Sequence, residues 1–364
     1  MSDKPRIDQL MAGFAEGDAI SHEAVEIRNL CRKWGHASDI FVAAGRVSPS
    51  VRGEVRDLSA YAPAAGDIAM HHYGIRSPAS DLFQKTGGIR KILIYHNITP
   101  PEYFQGFDDV LVRDLREARG NLPAIAGQSD AVWAVSRFDA EDLMASGVRN
   151  AQVFPLLFSG KPLDIAPDAL VRRRFTAPLK TILFVGRIAP NKRVENLIHA
   201  FAWYHGTIDP YSRLVIVGSP RSCPRYYTML RMLVGDLDLA NVCFEGFASP
   251  AGLVAYYDLA DVFVSASEHE GYCLPLVEAM YKNIPVVSRA GGGTPEAMGG
   301  AGVLYQDLES RELAELIHLV LSDAELNREV LVSQRKRIRD VLARPVEDEL
   351  KSLLSDFLGR TSAA

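Results

Sequence analysis

Two glutamates eight positions apart, Glu270 and Glu278, are the side chains best placed to do chemistry. They follow an apolar run at residues 262–266 that predicts a strand, and Pro275 suits the first turn of a helix, where an N–H is not needed. Glu270 then lies in the loop and Glu278 about one turn into the helix. Both carboxylates can face the crevice at the carboxyl ends of the strands, where open α/β sheets bind ligands.

Backbone donors follow Glu270 directly. Four loop residues can offer amides to a polar or anionic group at the same place; they are Gly271, Tyr272, Cys273 and Leu274. Taken alone, two glutamates at this spacing are also common in a solvated acidic loop followed by an ordinary surface helix, so the wider pattern has to decide.

Two cations precede a second predicted helix. Residues 181–185 form an apolar run that ends in Gly186 and Arg187, and Lys192 leads into helical spacing at residues 194–204. Two cations beside a helix N-terminus suit a diphosphate, and they stabilise the negative charge that develops as a nucleotide leaves. The alternative for Arg187 is a surface ion pair.

The N-terminal half carries weaker signals. His96 ends the apolar run at residues 91–96, which places it at the mouth of a crevice; the alternative is a histidine bonded to the loop backbone. His71 and His72 follow another strand and can line an acceptor site, and no Asp or Glu stands at ligand spacing around them, so no metal site is predicted. Gly17 precedes a helix, and its loop either approaches a phosphate or caps that helix.

Short apolar runs alternate with amphipathic stretches along the chain. Runs that are apolar on both faces predict parallel sheets covered by helices. The predicted strands are 39–43, 91–96, 131–136, 152–156, 181–185, 213–217, 242–245, 262–266, 285–288 and 303–305. The predicted helices are 22–35, 109–119, 138–147, 194–204, 226–234, 251–259, 275–282, 311–321 and 347–359. The expected fold class is α/β, with two Rossmann-like doubly wound domains.

The length supports that division, because 364 residues are too many for a single hydrophobic core and enough for two domains. Residues 159–167 hold two prolines and a glycine without periodicity, which indicates a boundary. We predict an N-terminal domain at residues 1–162, a C-terminal domain at 163–345, and a C-terminal helix or tail at 346–364.

Composition excludes several classes of protein. A formal net charge of −5 argues against nucleic acid as a partner, since binding phosphates needs a basic surface. The four cysteines show no C-x-x-C spacing, which favours reduced thiols that bind no metal. The first residues are charged and no run reaches the ~18 apolar residues of a membrane span. We therefore expect a cytoplasmic protein, with peripheral membrane contact left open.

The two chemical stretches resemble one family together. Residues 267–280 resemble the Glu-x7-Glu signature of the family-four glycosyltransferases, the large retaining family with the GT-B fold, and residues 283–296 are similar to its G-x-P-V-V and G-G-x-P-E blocks. Residues 181–201 follow the family pattern F-x-G-R, K-G and L-I-x-A-F. Arg193, Cys273 and Asn283 stand where the family often has glycine. Because arginine adopts a left-handed backbone reluctantly, a different local turn is expected at Arg193.

The resemblance implies an arrangement and roles. Two Rossmann-like domains would face each other across a cleft, with the nucleotide-sugar donor on the C-terminal domain. Arg187 and Lys192 would hold its diphosphate in place of a metal, so neither metal nor cofactor is needed. Glu278 would bind the ribose, and Glu270 with the loop at residues 271–274 would contact the donor sugar. The remaining implied contacts are His96 beside the transferred sugar and Gly17 near the donor phosphates.

The predicted function is therefore a retaining hexosyltransferase. It would move mannose or another hexose to a glycan or lipid-linked acceptor, in surface polysaccharide or glycolipid biosynthesis, at the inner face of the membrane. A nucleotide-sugar epimerase on the same fold and a non-catalytic nucleotide-sugar-binding protein remain alternatives. A nicotinamide dehydrogenase is disfavoured, because no Gly-x-Gly-x-x-Gly follows the strand at residues 181–185.

Overall fold

A computed structural model describes residues 4–154 and 157–359. Contacts within the chain divide it into two compact units. Unit 1 comprises Met1–Pro101, Val110–Leu157 and Arg344–Ala364, and unit 2 comprises Glu102–Asp109 and Phe158–Ala343. This division differs from the predicted one in three respects, the first being that Glu102–Asp109 belongs to unit 2. The chain enters unit 2 at residue 158 rather than 163, and its last helix is part of unit 1 rather than a separate tail.

Strands and helices alternate through both units. The strands are β1 (Ile7–Met11), β2 (Ile40–Val42), β3 (Arg56–Asp57), β4 (Ile68–Tyr73), β5 (Arg90–Tyr95), β6 (Ala131–Ala134), β7 (Ala151–Val153), β8 (Lys180–Val185), β9 (Ser212–Val217), β10 (Val242–Gly246), β11 (Val262–Ser265), β12 (Val286–Arg289) and β13 (Val303–Tyr305). The helices are α1 (Ala19–Lys33), α2 (Pro78–Lys85), α3 (Asp109–Gly127), α4 (Arg137–Ala145), α5 (Ala169–Arg174), α6 (Val194–Trp203), α7 (Pro224–Asp236), α8 (Pro250–Leu259), α9 (Leu274–Tyr281), α10 (Thr294–Met298), α11 (Ser310–Ser322), α12 (Ala324–Leu342) and α13 (Val346–Gly359).

Each unit is built on one parallel sheet. The order in unit 1 is β3-β2-β1-β4-β5-β6-β7, and the order in unit 2 is β10-β9-β8-β11-β12-β13. Every strand pair recorded is parallel. The predicted two Rossmann-like domains are confirmed. The strand order reverses between β1 and β4 in unit 1 and between β8 and β11 in unit 2, and such reversals open the crevice in which doubly wound sheets bind ligands.

The elements that the sequence analysis missed or misplaced include two polar strands and one polar helix. The central strand β1 reads IDQLM, and its Asp8 and Gln9 break the apolar pattern although both are buried. Gln9 is tolerated there because its side-chain amide donates to the Ala24 carbonyl at 2.8 Å. The strand β4 is similarly obscured by two histidines, and the helix α12 by its many charged residues. The end of the predicted strand at 155–156 lies outside the described residues.

The last helix, α13, completes the core of unit 1. Its Leu350, Leu354 and Phe357 are at most 3% exposed and pack in one cluster with Ile7 and Trp133 of the sheet. The sequence predicted this amphipathic helix but not where it docks, because hydrophobic spacing identifies a buried face without naming the surface that covers it.

Candidate functional site

The site in unit 2 begins at the reversal of strand order. β8 and β11 are neighbours, and the loops that leave their carboxyl ends carry Lys192 and Glu270 respectively. The Lys192 Nζ donates to the Glu270 Oε2 at 2.5 Å, and the two side chains are 11% and 10% exposed. The fold therefore brings together two of the residues that the sequence singled out, as a buried ion pair at the crevice.

Glu270 is held in its ionised form. Burial by itself raises the pKa of this carboxyl, but the charge of Lys192 and hydrogen bonds from Lys192, Ser267 and Cys273 bring the pKa below its ordinary value of 4.5. A fixed carboxylate with a cation against it can accept hydrogen bonds from hydroxyl groups and stabilise nearby positive charge. Ser267 and Cys273 were not predicted to support it.

Three consecutive glycines fix the loop around Glu270. A Cβ on Gly291, Gly292 or Gly293 would lie 2.3, 2.3 or 2.0 Å from a carbonyl oxygen of the 267–271 loop. The Gly293 N–H donates to the Glu270 carbonyl at 2.8 Å. No side chain fits between these backbones, so the family-like glycine block acts by close packing against the loop that presents the carboxylate.

The positions where this chain replaces family glycines all adopt a left-handed backbone. Arg193, Cys273 and Asn283 have φ values of 48°, 73° and 56°. The expectation of a different turn at Arg193 is therefore wrong: the glycine-like turn is kept, and the residue before α6 bears the strain. Two contacts offset the backbone strain at Arg193. Its Nε lies 2.7 Å from Glu268 Oε2, and its Cζ lies 5.6 Å from the centroid of the Tyr103 ring.

The second glutamate, Glu278, lies one turn into α9 as predicted. It is partly buried, and its Oε2 accepts a hydrogen bond from the Tyr257 hydroxyl at 2.7 Å. Burial raises the pKa of Glu278, while the Tyr257 hydrogen bond lowers it in part. No sequence pattern indicated Tyr257 as a partner of Glu278, because Tyr257 comes from α8, a separate helix.

Arg187 differs from Lys192 in having no partner within residues 4–154 and 157–359. It is exposed, and among the residues that the structure describes it forms no hydrogen bond or ion pair. The alternative of a surface ion pair is thus absent from that part of the chain. Of the four predicted backbone donors, Gly271 lies in the loop, Tyr272 is buried, Cys273 occupies the N-cap position of α9, and Leu274 is the first residue of that helix. Since no described residue pairs with it, the Arg187 guanidinium is available to an anion.

In unit 1 the structure gathers a second buried group beneath His96. The His96 Nε2 lies 2.8 Å from the His72 Nδ1, and the His72 Nε2 lies 2.8 Å from the Gln9 Oε1. The Glu23 Oε1 lies 3.6 Å from His96 Nε2 and 3.9 Å from His72 Nδ1. All three ionisable side chains are at most 3% exposed. A sequence signal for Glu23 existed, since it shares the helical spacing of buried Ile27 and Cys31.

Glu23, His72 and His96 could in principle hold a metal ion, because their ligand atoms lie within 4.8 Å of one another. Ligand atoms around a tetrahedral zinc ion lie about 3.3 Å apart, given metal–ligand distances near 2.0–2.1 Å. The two ring nitrogens are 2.8 Å apart, which is the distance of a shared hydrogen and too short for an ion between them. The geometry fits a hydrogen bond better than a metal centre.

The remaining predicted residues of unit 1 lie in a strand or in a loop that caps a helix. His71 and His72 lie inside β4 rather than after it, and His71 is satisfied by the Leu10 carbonyl and the Ser80 hydroxyl. The suggestion that the pair lines an acceptor site is therefore wrong for His71. Gly17 has a φ of 71°, and the next residue, Asp18, caps α1 by accepting from the Ser21 N–H at 2.9 Å. The capping role of this loop is confirmed, and its approach to a phosphate stays a prediction.

Comparisons with known proteins show which family and which relatives the chain resembles. Residues 172–337 match the family described as "Glycosyl transferases group 1". The chain is 23% identical over 270 residues to the serotype-specific mannosyltransferase WbdA of Escherichia coli, covering 71% of this chain and 32% of that protein. It is 33% identical over 217 residues to the GDP-mannose-dependent alpha-mannosyltransferase of Mycolicibacterium smegmatis, covering 56% and 52%. The chain thus spans about a third of WbdA.

The fold has solved counterparts. The sucrose-phosphate synthase tll1590 from Thermosynechococcus elongatus superposes with a TM-score of 0.74 at 19% identity, covering 98% of this chain and 100% of that one. The family match at residues 172–337 includes both loops that form the Lys192–Glu270 pair. Within the described residues, no helix is long and apolar enough to cross a membrane.

Proposed function

We propose that this chain, which belongs to the group 1 glycosyltransferases and has the two Rossmann-like domains of the GT-B fold, transfers a hexosyl group from a nucleoside-diphosphate sugar with retention of configuration. The observation that carries the proposal is the buried Lys192–Glu270 pair beside the strand reversal of unit 2, together with Arg187, which has no partner in the described part of the chain. The crevice therefore offers fixed charge of both signs to one ligand.

The donor diphosphate is assigned to the cations. Arg187 is exposed and unpaired among the described residues, so its guanidinium can take two phosphate oxygens without breaking an existing bond. Lys192 adds a second positive charge, partly balanced by Glu270. These groups stabilise the charge of the departing diphosphate, and the proposed reaction needs no metal or cofactor.

The carboxylates are assigned to the sugar rings. Glu278 retains acceptor capacity beyond the Tyr257 hydrogen bond and can take the vicinal ribose hydroxyls. Glu270, ionised beside Lys192, can accept from hydroxyls of the transferred sugar and stabilise oxocarbenium-like charge at C1. In the transfer, the C1–O bond to the diphosphate breaks and a C1–O bond to an acceptor hydroxyl forms on the same face. The hydroxyl proton leaves with the diphosphate.

The donor sugar proposed is mannose, because both curated relatives described above are mannosyltransferases and one is named for GDP-mannose. The proposed acceptor is a glycan or lipid-linked saccharide in surface polysaccharide or glycolipid biosynthesis. The proposed place of action is the cytoplasm, at the inner face of the membrane. His96 is proposed to contact the transferred sugar, and the Gly17 loop to approach the donor phosphates.

The first experiment is a thermal-shift panel with GDP, UDP and ADP and their hexose conjugates, with and without EDTA. A ligand at about 100 times its dissociation constant adds about 2.7 kcal/mol to the free energy of unfolding. The proposal expects one diphosphate to raise the melting temperature equally in EDTA. No shift with any nucleotide, or a shift that EDTA abolishes, would contradict it.

A second measurement separates transfer from the alternatives. Incubation of the stabilising donor with a saccharide acceptor should give an α-linked product, identified by the one-bond C1–H1 coupling of its anomeric centre in NMR. A β-linked product would overturn retention. An epimerised donor without transfer would favour the epimerase, and an unchanged donor would favour a binding protein.

A further inference from the structure

Three secondary structure elements converge beneath His96. Gln9 comes from β1, His72 from β4 and Glu23 from α1, and His96 directly follows β5. The side chains of Glu23 and His72 are 1% exposed and that of His96 is 3% exposed. Solvent therefore cannot decide where the protons of these rings reside, and the hydrogen-bond partners must.

The chain of hydrogen bonds starts from a backbone oxygen and fixes each proton in turn. The Gln9 Nε2 lies 2.8 Å from the Ala24 carbonyl, which can only accept, so the amide nitrogen faces Ala24 and the amide oxygen faces His72. That oxygen accepts, so the proton of His72 is on Nε2 and its Nδ1 is bare.

The same argument continues to the next ring. A bare Nδ1 on His72 can form the 2.8 Å contact with His96 only by accepting, so the His96 Nε2 carries the proton and donates it. The Nδ1 of a neutral His96 is then its one acceptor. We propose that Gln9 and His72 are positioning residues that fix His96 in the tautomer with its proton on Nε2, leaving Nδ1 to accept a hydrogen bond from the ligand.

Glu23 is compatible with neutral rings. An ionised carboxylate 3.6 Å from the His96 Nε2 would compete for its proton. Burial raises the pKa of Glu23 to about 8, with partial opposition from the Leu157 backbone, so the carboxyl is largely protonated at neutral pH. Burial also lowers the pKa of His96 to about 3 and that of His72 well below 6.5. These pKa shifts agree with an uncharged hydrogen-bond relay, which is the series Gln9, His72 and His96.

The consequence for catalysis rests on the proposed function, in which His96 contacts the transferred sugar. When the His96 Nδ1 carries no proton, it can accept a hydrogen bond from a sugar hydroxyl. In the opposite tautomer Nδ1 carries a proton and cannot accept that hydrogen bond. Losing the relay allows both tautomers, so part of the enzyme would meet its donor in the wrong form.

The direct test is NMR of the full-length protein with ¹⁵N-labelled histidine rings, at pH 7. The chain has nine histidines, and the His96 signals are identified by their loss in His96→Gln. The proposal expects a protonated Nε2 and a bare Nδ1 on His96, and a mixed or reversed pattern in His72→Leu. His72→Asn, whose side-chain oxygen can stand near the former Nδ1, should restore the pattern.

The matched control is His71→Leu, which removes a buried histidine from the same strand without touching the relay. It should leave the His96 signals unchanged. A reversed or doubly protonated His96 in the unaltered protein would overturn the proposal, as would an unchanged His96 in His72→Leu.

Kinetics then separates the relay from the proposed function. In folded variants, Gln9→Leu and His72→Leu should lower kcat by about 10- to 100-fold, by analogy with the loss of a group that orients a metal-bound imidazole. His72→Asn should recover most of it, and KM for the acceptor should change little. If His96→Gln itself leaves kcat unchanged, the contact of His96 with the sugar fails. If His96→Gln lowers kcat but His72→Leu does not, the relay fails.

Discussion

Replacing Lys192 by methionine removes the charge of the buried pair and keeps most of the apolar stem. Lys192 and Glu270 are each about one-tenth exposed, so Glu270 would be left as a buried carboxylate without its cation. Breaking a buried ion pair in this way costs about 3–5 kcal/mol of unfolding free energy. The hydrogen bonds from Ser267 and Cys273 remain, so the expected loss is about 3 kcal/mol.

The loss should depend on pH in a definite direction. In the unaltered protein the folded pKa of Glu270 lies below 4.5, so its stabilisation is present above 4.5 and is lost as pH falls through the folded pKa. In Lys192→Met the cation that lowers the pKa of Glu270 is gone, so burial raises this pKa. The variant then gains stability as Glu270 protonates. The difference between the two proteins should therefore be larger at pH 7 than at pH 5.

Urea unfolding followed by tryptophan fluorescence measures the loss in free energy of unfolding at each pH. Trp203 reports on unit 2, and the other two tryptophans, Trp34 and Trp133, report on unit 1. Lys282→Met is the matched control, since Lys282 pairs with Asp258 at 2.7 Å but both are more exposed, and its loss should be about 1 kcal/mol. The double variant Lys192→Met/Glu270→Gln should recover part of the loss. A loss below ~1 kcal/mol at pH 7, or no recovery, would refute the buried-pair reasoning.

Three further variants test other parts of the site. Arg187→Ala should lower kcat/KM by about 30- to 1,000-fold, or 2–4 kcal/mol, with little change in stability because the side chain is exposed; unaltered initial rates would exclude its assignment. At Arg193, glycine should be more stable than alanine by about 1–2 kcal/mol in urea unfolding, since both lose the Glu268 ion pair and only alanine keeps the left-handed strain; the reverse order would contradict the strain. Gly293→Ala should lower stability by about 3 kcal/mol or more, because its Cβ would meet the Gly271 carbonyl at 2.0 Å, and a neutral effect on melting temperature would show that the loops can part.

The sequence was most informative where local pattern and chemistry coincide. The strands of unit 2 were apolar and bounded by glycine and proline, and the loops after β8 and β11 held the predicted Lys192 and Glu270. Parallel topology then brings the ends of neighbouring strands together, so a pair that is distant in sequence could be anticipated at one crevice.

The sequence was least informative where burial contradicts residue type. Gln9, His72 and Glu23 look like surface residues, and only the fold shows that they satisfy or approach one another inside unit 1. The turn at Arg193 was predicted wrongly for a related reason. Backbone propensity predicts an altered turn, whereas the ion pair with Glu268 offsets the strain of keeping it.

The central claim is that exposed Arg187 and its crevice bind a nucleoside diphosphate without metal. Isothermal titration calorimetry in EDTA, with the diphosphate chosen by the thermal-shift panel, tests it on three proteins: unaltered, Arg187→Ala, and Arg173→Ala as an exposed arginine of α5. We predict equal affinity for the unaltered protein and Arg173→Ala, and at least about tenfold weaker binding by Arg187→Ala, as expected for losing a charge-assisted hydrogen bond. Equal affinity in all three, or binding that appears only when a divalent cation is added, would contradict the account.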